Sequence, residues 1–307
     1  MTALTLPPLR LRGSYGLTWS VLRVHRTALW IWTAVVAAGI GGLVWSHRLS
    51  GTSGGLGGLP ADDAGLRLAG EAMALLPFAA AAFAGGALIG RELENGTAAL
   101  AWTQSVSPAR WLAAKLAVPA ALLTAGTAVL SLLFRWVWTA GPSSAAPPWY
   151  DDAIFLAGGP AGIAHVLLGL AVGALSGLLM RRALSGLGFA FFATLLVEVV
   201  LAMFRSHLWP TTRWTGFEAA RLPHTADRFE IGVITAAGKY VAGPECNMDV
   251  PGEFRRCLAD HGYTDAYAVG HPASHFWPMQ GVETAIVLTL AALACVAAFA
   301  LLRRRVA

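Results

Sequence analysis

Residues 91–116 read RELENGTAALAWTQSVSPARWLAAKL, the densest polar text between two long apolar runs. The stretch carries charges of both signs, a Gly-Thr step, a Ser-Val-Ser-Pro turn and a Trp-Leu…Lys helix start. A plain connecting loop needs only a few polar residues. A passage this elaborate between two apolar segments reads as a docking element.

The flanking runs belong to a set of six, at residues 27–46, 72–90, 116–134, 153–180, 183–204 and 284–302. At about 1.5 Å per residue, each can cross a hydrocarbon core about 30 Å thick. Of the 307 residues, 56% are hydrophobic and only 13% charged, roughly half the charged fraction of a soluble domain. The chain therefore reads as an all-α, polytopic membrane protein with six transmembrane helices. No cleavable signal peptide is evident, because the first apolar run begins after several arginines and no small-residue cleavage site follows it. The first helix is expected to stay as an anchor. Gly158-Gly159-Pro160 should break the overlong fourth run, either kinking off a turn or starting the span near Ala161.

A net charge of +5 raises the question of nucleic acid, and its distribution answers it. Arginines gather beside helix ends: Arg23 and Arg26 before the first run, Arg181 and Arg182 between the fourth and fifth, Arg303, Arg304 and Arg305 after the sixth. That is the positive-inside pattern. It predicts that both termini, the loop 91–115 and the Arg181-Arg182 turn are cytoplasmic. Asp62, Asp63, Asp151, Asp152 and the whole segment 205–283 then face outward. The basic balance concerns topology, and no nucleic-acid partner is expected.

Four regions follow. Residues 1–26 form a cytoplasmic N-terminus in which Tyr15, Trp19 and Leu22 recur at helical spacing, reading as an interfacial helix or else an extension of helix one. Residues 27–204 hold transmembrane helices one to five, with the loop 91–115 between two and three. Residues 205–279 form an extracellular cap resting on the helices, and residues 280–307 form helix six with a basic tail. Within the cap, FEIGVITAAGKYVAG (229–243) predicts one β-hairpin. Cys246 and Cys257 also lie there, where a disulfide would persist; two free thiols are the alternative, because Cα separation rather than spacing decides closure. Cys295, the third cysteine, falls within the sixth run.

Glu198 is the one carboxylate deep in an expected span, about two turns from its outer end. His165 sits at a similar depth. Intramembrane ionisable groups are costly and face bundle interiors or water, so the two are candidates for a translocation path or a proton-sensitive pair. A buried structural contact is the competing reading. Arg135, beside Trp136 and Trp138, is explained by snorkelling into an aromatic belt. GALSG (173–177) misses the spacing of a rhomboid-like nucleophile and instead suits close helix packing. No His-Glu-x-x-His occurs, and no metal site is expected. The phosphate-cradling G-x-x-x-x-G-K-[ST] is also absent, the only Gly-Lys pair being Gly238-Lys239. Any ATP-driven function must borrow its motor.

The opening stretch resembles the segment after the second helix in ATP-binding-cassette permeases of type 2. The matching elements are Arg91-Glu92, Gly96-Thr97, Trp102 to Ser107, Arg110-Trp111 and Lys115. The match is closest to the actinobacterial-like branch, whose members read AWTQSV and WL..K in the same places. HFWPMQGVE (275–283) resembles the family's aromatic-Trp-Pro…Gln…Glu lead-in to the final helix. The segment 205–274 is the least alike. The resemblance implies a permease subunit of an exporter in the bacterial cell membrane, half of a homo- or heterodimeric path. A separately encoded ATPase would bind ATP and Mg, this chain holding no cofactor, and the substrate would be lipophilic or amphipathic. It assigns ATPase coupling to Glu92, Glu94, Gly96, Thr97, Trp102, Gln104 and Arg110. Physically, Ala99, Leu100 and Trp102 are expected to grip the bundle while Glu92 and Glu94 offer charge to the motor. Ser107 and Pro108 read as N-cap and first residue of helix three. The alternatives are a membrane anchor or sensor with a ligand-binding outer segment, and an intramembrane enzyme using Glu198 and His165.

Overall fold

Six helices are long and apolar enough to cross a membrane: helix one Arg26–Arg48, helix two Ala64–Glu94, helix three Pro108–Ala140, helix four Pro160–Met180, helix five Ala183–His207 and helix six Ala273–Arg305. They are counted among the residues that this computed structural model describes, namely 22–50, 61–103, 106–140, 146–216, 219, 222–241 and 251–306. The stretch expected to hold an interfacial helix lies almost wholly outside these residues, as do Gln104 and Cys246.

Local chemistry sets most boundaries. Helix three begins with Pro108, and Ser107 Oγ accepts the Arg110 amide at 3.4 Å, the N-cap arrangement its sequence announces. The overlong fourth run is divided, with a short helix Asp152–Ala157 capped by Asp151, whose Oδ1 accepts the Ala153 amide at 3.1 Å. Gly158 and Gly159 then interrupt it before Pro160 opens helix four. Helix six starts earlier than its apolar run, with a tight turn at Ala273–His275 leading into regular α-helix from Phe276. Pro278 falls in its first turn, where a missing N–H costs nothing.

Helix two is irregular, its α-helical turns giving way to a π-helical segment, Phe83–Gly90. There a Cβ on Gly85 would lie 2.6 Å from the Gly186 carbonyl oxygen of helix five. Two backbones touch at that point, and only glycine permits it. Gly173 and Gly177 of helix four pack against Ala81 and Gly85 of helix two, the close-packing role read from GALSG. Helix four is the centre of the bundle, in contact with helices two, three, five and six. Leu88, Ile89, Trp111, Leu112, Leu178 and Leu302 form a buried cluster at the end of the bundle where helix three begins and helix six ends. Helix one is peripheral, leaving Trp30, Ile31 and Trp45 exposed, and helix five exposes Leu184, Phe192, Leu196 and Met203. Such apolar faces belong against lipid or another subunit.

Between helices five and six stands a four-stranded antiparallel sheet in the order β1-β4-β2-β3, with β1 Thr212–Thr215, β2 Asp227–Thr235, β3 Tyr240–Val241 and β4 Tyr263–His271. The hairpin expected from 229–243 is β2–β3, turned through Gly238 at φ 72°. The two further strands come from segments whose alternation is too weak to mark them. A helix, Pro251–Asp260, buries Phe254 and Leu258 against Val233 and Ala266. Trp149 Nε1 donates to Thr225 O at 2.7 Å, and Tyr150 Oη donates to His224 O at 3.2 Å. These bonds tie the sheet-bearing segment to the connector before helix four. Cys257 stands in a disulfide and Cys295 is free.

Candidate functional site

At the sheet end, helices four, five and six converge on His165. That imidazole is 1% exposed and Glu283 is 0% exposed. His165 Nε2 lies 3.0 Å from Glu283 Oε1, and Nδ1 lies 3.5 Å from Glu198 Oε1. Glu283 also accepts a forked pair from Arg205, Nε to Oε2 at 2.8 Å and Nη2 to Oε1 at 3.0 Å. Bidentate pairs of this kind are the strong, directional ones. Arg205 Nη1 turns to Asp152, and the guanidinium lies 4.4 Å from the Phe155 ring centroid. Buried charge is tolerable only when paired in this manner.

Beside the cluster, Gln280 is fully buried and bridges the Gly158-Gly159 break. Its Nε2 donates to Phe155 O at 2.6 Å, and its Oε1 accepts the Ala161 amide at 2.9 Å. One side chain thus serves the end of the short helix and the start of helix four. A Cβ on Gly159 would lie 2.5 Å from that side chain, so the glycine leaves room for the bridge.

The other end of the bundle holds the polar passage 91–116. Glu92 Oε1 pairs with the Nζ of buried Lys115, and Oε2 accepts Trp111 Nε1 at 3.2 Å. Lys115 Nζ also lies 3.2 Å from His25 Nε2. Burial, and then the Lys115 charge, hold the His25 imidazole below its ordinary pKa, which suits an accepting nitrogen. Glu94 Oε2 accepts the Ala183 amide at 2.8 Å, at the start of helix five. Gly96, at φ 71°, lets the chain turn between helices Arg91–Glu94 and Thr97–Thr103. Thr97 Oγ1 donates to Glu92 O at 3.2 Å. Trp102 meets Trp111 edge to face at 5.7 Å, and Arg110 is exposed.

Several expectations change. Glu92 does not stand ready for a partner, because both of its oxygens are engaged within the chain, whereas Glu94 is exposed and commits one oxygen to the Ala183 amide. The gripping face of Thr97–Thr103 is Ala98, Ala101 and Trp102, residues at the i, i+3, i+4 spacing of one helix face. Ala99 and Leu100 point away, with Leu100 61% exposed. Glu198 is not the only carboxylate at depth, because the early start of helix six brings Glu283 inside. His165 and Glu198 do come together, as paired candidates should. Nothing in the sequence marks Glu283, Gln280 and Arg205 as site residues, although the first two stand in HFWPMQGVE. Arg135 meets Trp138 as expected, but its nearest ring is Trp277, with the guanidinium 4.4 Å from the centroid.

Residues 58–205 match the family model described as ABC-2 membrane transporter related. No curated protein and no solved structure matches the chain. The matched stretch runs from just before helix two to Arg205 and contains the 91–116 passage, the central helix four and Glu198. The chain is a multi-pass membrane protein whose residues 58–205 are similar to the ABC-2 related membrane transporters.

Proposed function

We propose that this chain is the permease subunit of an ATP-driven exporter, half of a dimeric path, worked by a separately encoded ATPase that binds ATP and Mg. The observation that carries the reading is the construction of residues 91–103. This short passage is held to three helices at once: to helix three by Glu92–Lys115 and Trp102–Trp111, to helix five by Glu94–Ala183, and to helix one through His25. Its opposite face, with Ala99, Leu100 and Thr103, is exposed. A force applied to Leu100 therefore reaches several helices as a rigid-body displacement. Helix five carries Glu198 toward its far end, so motion received at Glu94 is delivered to the charged cluster.

The arginines Arg181, Arg182 and Arg303 to Arg305 support an orientation with that end of the bundle in the cytoplasm and the sheet outside. The exposed faces of helices one and five are the candidates for the second permease subunit and for lipid. An apolar cavity of about 250 Å³ between helices one, two and three, lined by Leu29, Trp32, Leu76, Phe83, Pro119 and Leu122 among others, supports a lipophilic or amphipathic cargo.

The test is Leu100→Asp, read by pull-down of an ATPase encoded in a neighbouring reading frame and by transport in vesicles. Normal insertion with lost capture is expected, because the substitution touches an exposed face. A bulky insertion after Thr103 should act likewise. Unchanged capture and transport in both variants would return the chain to the membrane anchor or sensor alternative.

A further inference from the structure

The two nitrogens of His165 face two different carboxylates, and that geometry has a consequence for protons. Glu283 accepts three hydrogen bonds, two from Arg205 and one from His165 Nε2. It is therefore the ionised member, and Nε2 carries the hydrogen that points to it. A neutral imidazole has one N–H. Its other nitrogen, Nδ1, would then present a lone pair to Glu198 Oε1, 3.5 Å away. A lone pair held this close to a carboxylate oxygen inside a bundle is repelled by it. Neither atom has a hydrogen-bond partner among the described residues, the other included, and both are shielded from solvent. The pairing is sound only when one further proton is present. It sits on Nδ1 as an imidazolium facing a carboxylate, or on Glu198 as an acid donating to Nδ1.

We propose that His165, Glu198 and Glu283 form a binding site for one exchangeable proton, whose presence holds Glu198 against His165 and whose loss releases it. The surrounding charges account for why one site titrates. Helix four supplies His165, helix five supplies Glu198 and Arg205, helix six supplies Glu283, and the helix Asp152–Ala157 supplies Asp152. Among the described residues, helices two and three contribute no charge to these pairs. Arg205 is committed to Glu283 and Asp152, so Glu198 has only the His165 proton to balance it. His165 and Glu283 are closed off, whereas the Glu198 side chain is 14% exposed. The proton therefore enters and leaves by way of Glu198, as the carboxylate swings from Nδ1. No group of three or more His, Cys, Asp or Glu side chains among the described residues is arranged to hold a metal ion, so the ligand assigned is the proton. The site does not depend on an ATPase driving the chain.

The experiment uses the full chain in lipid nanodiscs, with infrared difference spectra recorded between about pH 5 and pH 9, the range around an ordinary histidine. A titration step with carboxyl or imidazolium bands is expected in the wild type and is expected to vanish in Glu198→Gln and in His165→Gln. Identical difference bands in wild type and both variants would overturn the proposal. Where a variant does not fold, Glu198→Asp decides the matter. It keeps the acid but withdraws it from Nδ1 by one methylene, and should move the step by about one pH unit. An unmoved step in Glu198→Asp would also overturn it.

Discussion

Glu94 of helix two reaches across the bundle to the first residue of helix five, its Oε2 lying 2.8 Å from the Ala183 backbone nitrogen. Helix five has no side-chain cap of its own, since Arg182 makes none. The first amides of a helix lack internal partners and carry partial positive charge. A carboxylate from another helix satisfies both needs. It also ties the end of helix two to the start of helix five.

Glu94→Ala should therefore lower stability by about 1 kcal/mol, the usual cost of losing a cap. Glu94→Gln keeps an acceptor and loses only the charge–dipole attraction, about 0.3–1 kcal/mol. Thermal unfolding in detergent should rank wild type above Gln above Ala. Equal midpoints for all three would show that Glu94 does not cap helix five.

The Glu92–Lys115 pair is a structural bond within the chain. Lys115→Met or Glu92→Leu alone strands a partly or fully buried charge, with an expected cost of about 3–5 kcal/mol each. The double variant should cost far less than the sum, and a double-mutant cycle on unfolding midpoints measures the difference. Glu92→Lys would bring two ammonium groups together, so its expected phenotype is poor folding rather than a selective loss of ATPase capture. Additive single effects would contradict the pairing.

Arg205→Gln leaves Glu283, 0% exposed, without its forked partner. A loss of about 3–5 kcal/mol is expected. Arg205→Lys should recover little of it, because an ammonium cannot reproduce the planar fork. Yield of monodisperse protein and its unfolding midpoint provide the readout, and a fully stable Lys variant would argue against the bidentate contact.

Gly85→Ala forces a methyl to 2.6 Å from the Gly186 carbonyl oxygen, and overpacking of this kind costs about 1–3 kcal/mol. Gly188, also in helix five, has nothing within 4 Å of its would-be Cβ. Gly188→Ala should be neutral or slightly stabilising, by up to about 1 kcal/mol from helix propensity. The comparison of the two unfolding midpoints isolates the helix two–helix five contact from any general effect of glycine.

Cys257 stands in a disulfide, and we expect peptide mapping of unreduced protein to find it joined to Cys246. Cys295 should be the thiol that alkylates once the protein is unfolded. Recovery of alkylated Cys246 and Cys257 from unreduced protein would contradict the pairing.

Much of this architecture is local chemistry and was therefore legible in the chain. A bilayer demands that each spanning segment satisfy its own backbone, so length and hydropathy alone announce six helices. Ser107-Pro108 starts helix three, and Gly158-Gly159-Pro160 breaks the fourth run, through residues acting within a turn of themselves. The weight of 91–116 as a structured passage, and of Glu198 with His165 as a pair, was likewise readable. Each was too polar for its setting to be filler.

What only the tertiary structure decided is which partner each polar group meets. Glu94 and Ala183 are 89 residues apart, His165 and Glu283 are 118, and Arg205 and Glu283 are 78. The rotation of each helix about its own axis, and the register at which helices two, four and five press together through glycine, set those meetings. Hydropathy is blind to both, because an apolar face toward lipid and an apolar face toward protein are written with the same residues. Glu92 thus reads as free charge in the chain and is paired with Lys115 in the fold, while exposed Glu94 also caps Ala183. Leu100 read as a buried anchor, yet it stands exposed because Ala98, Ala101 and Trp102 occupy the inner face.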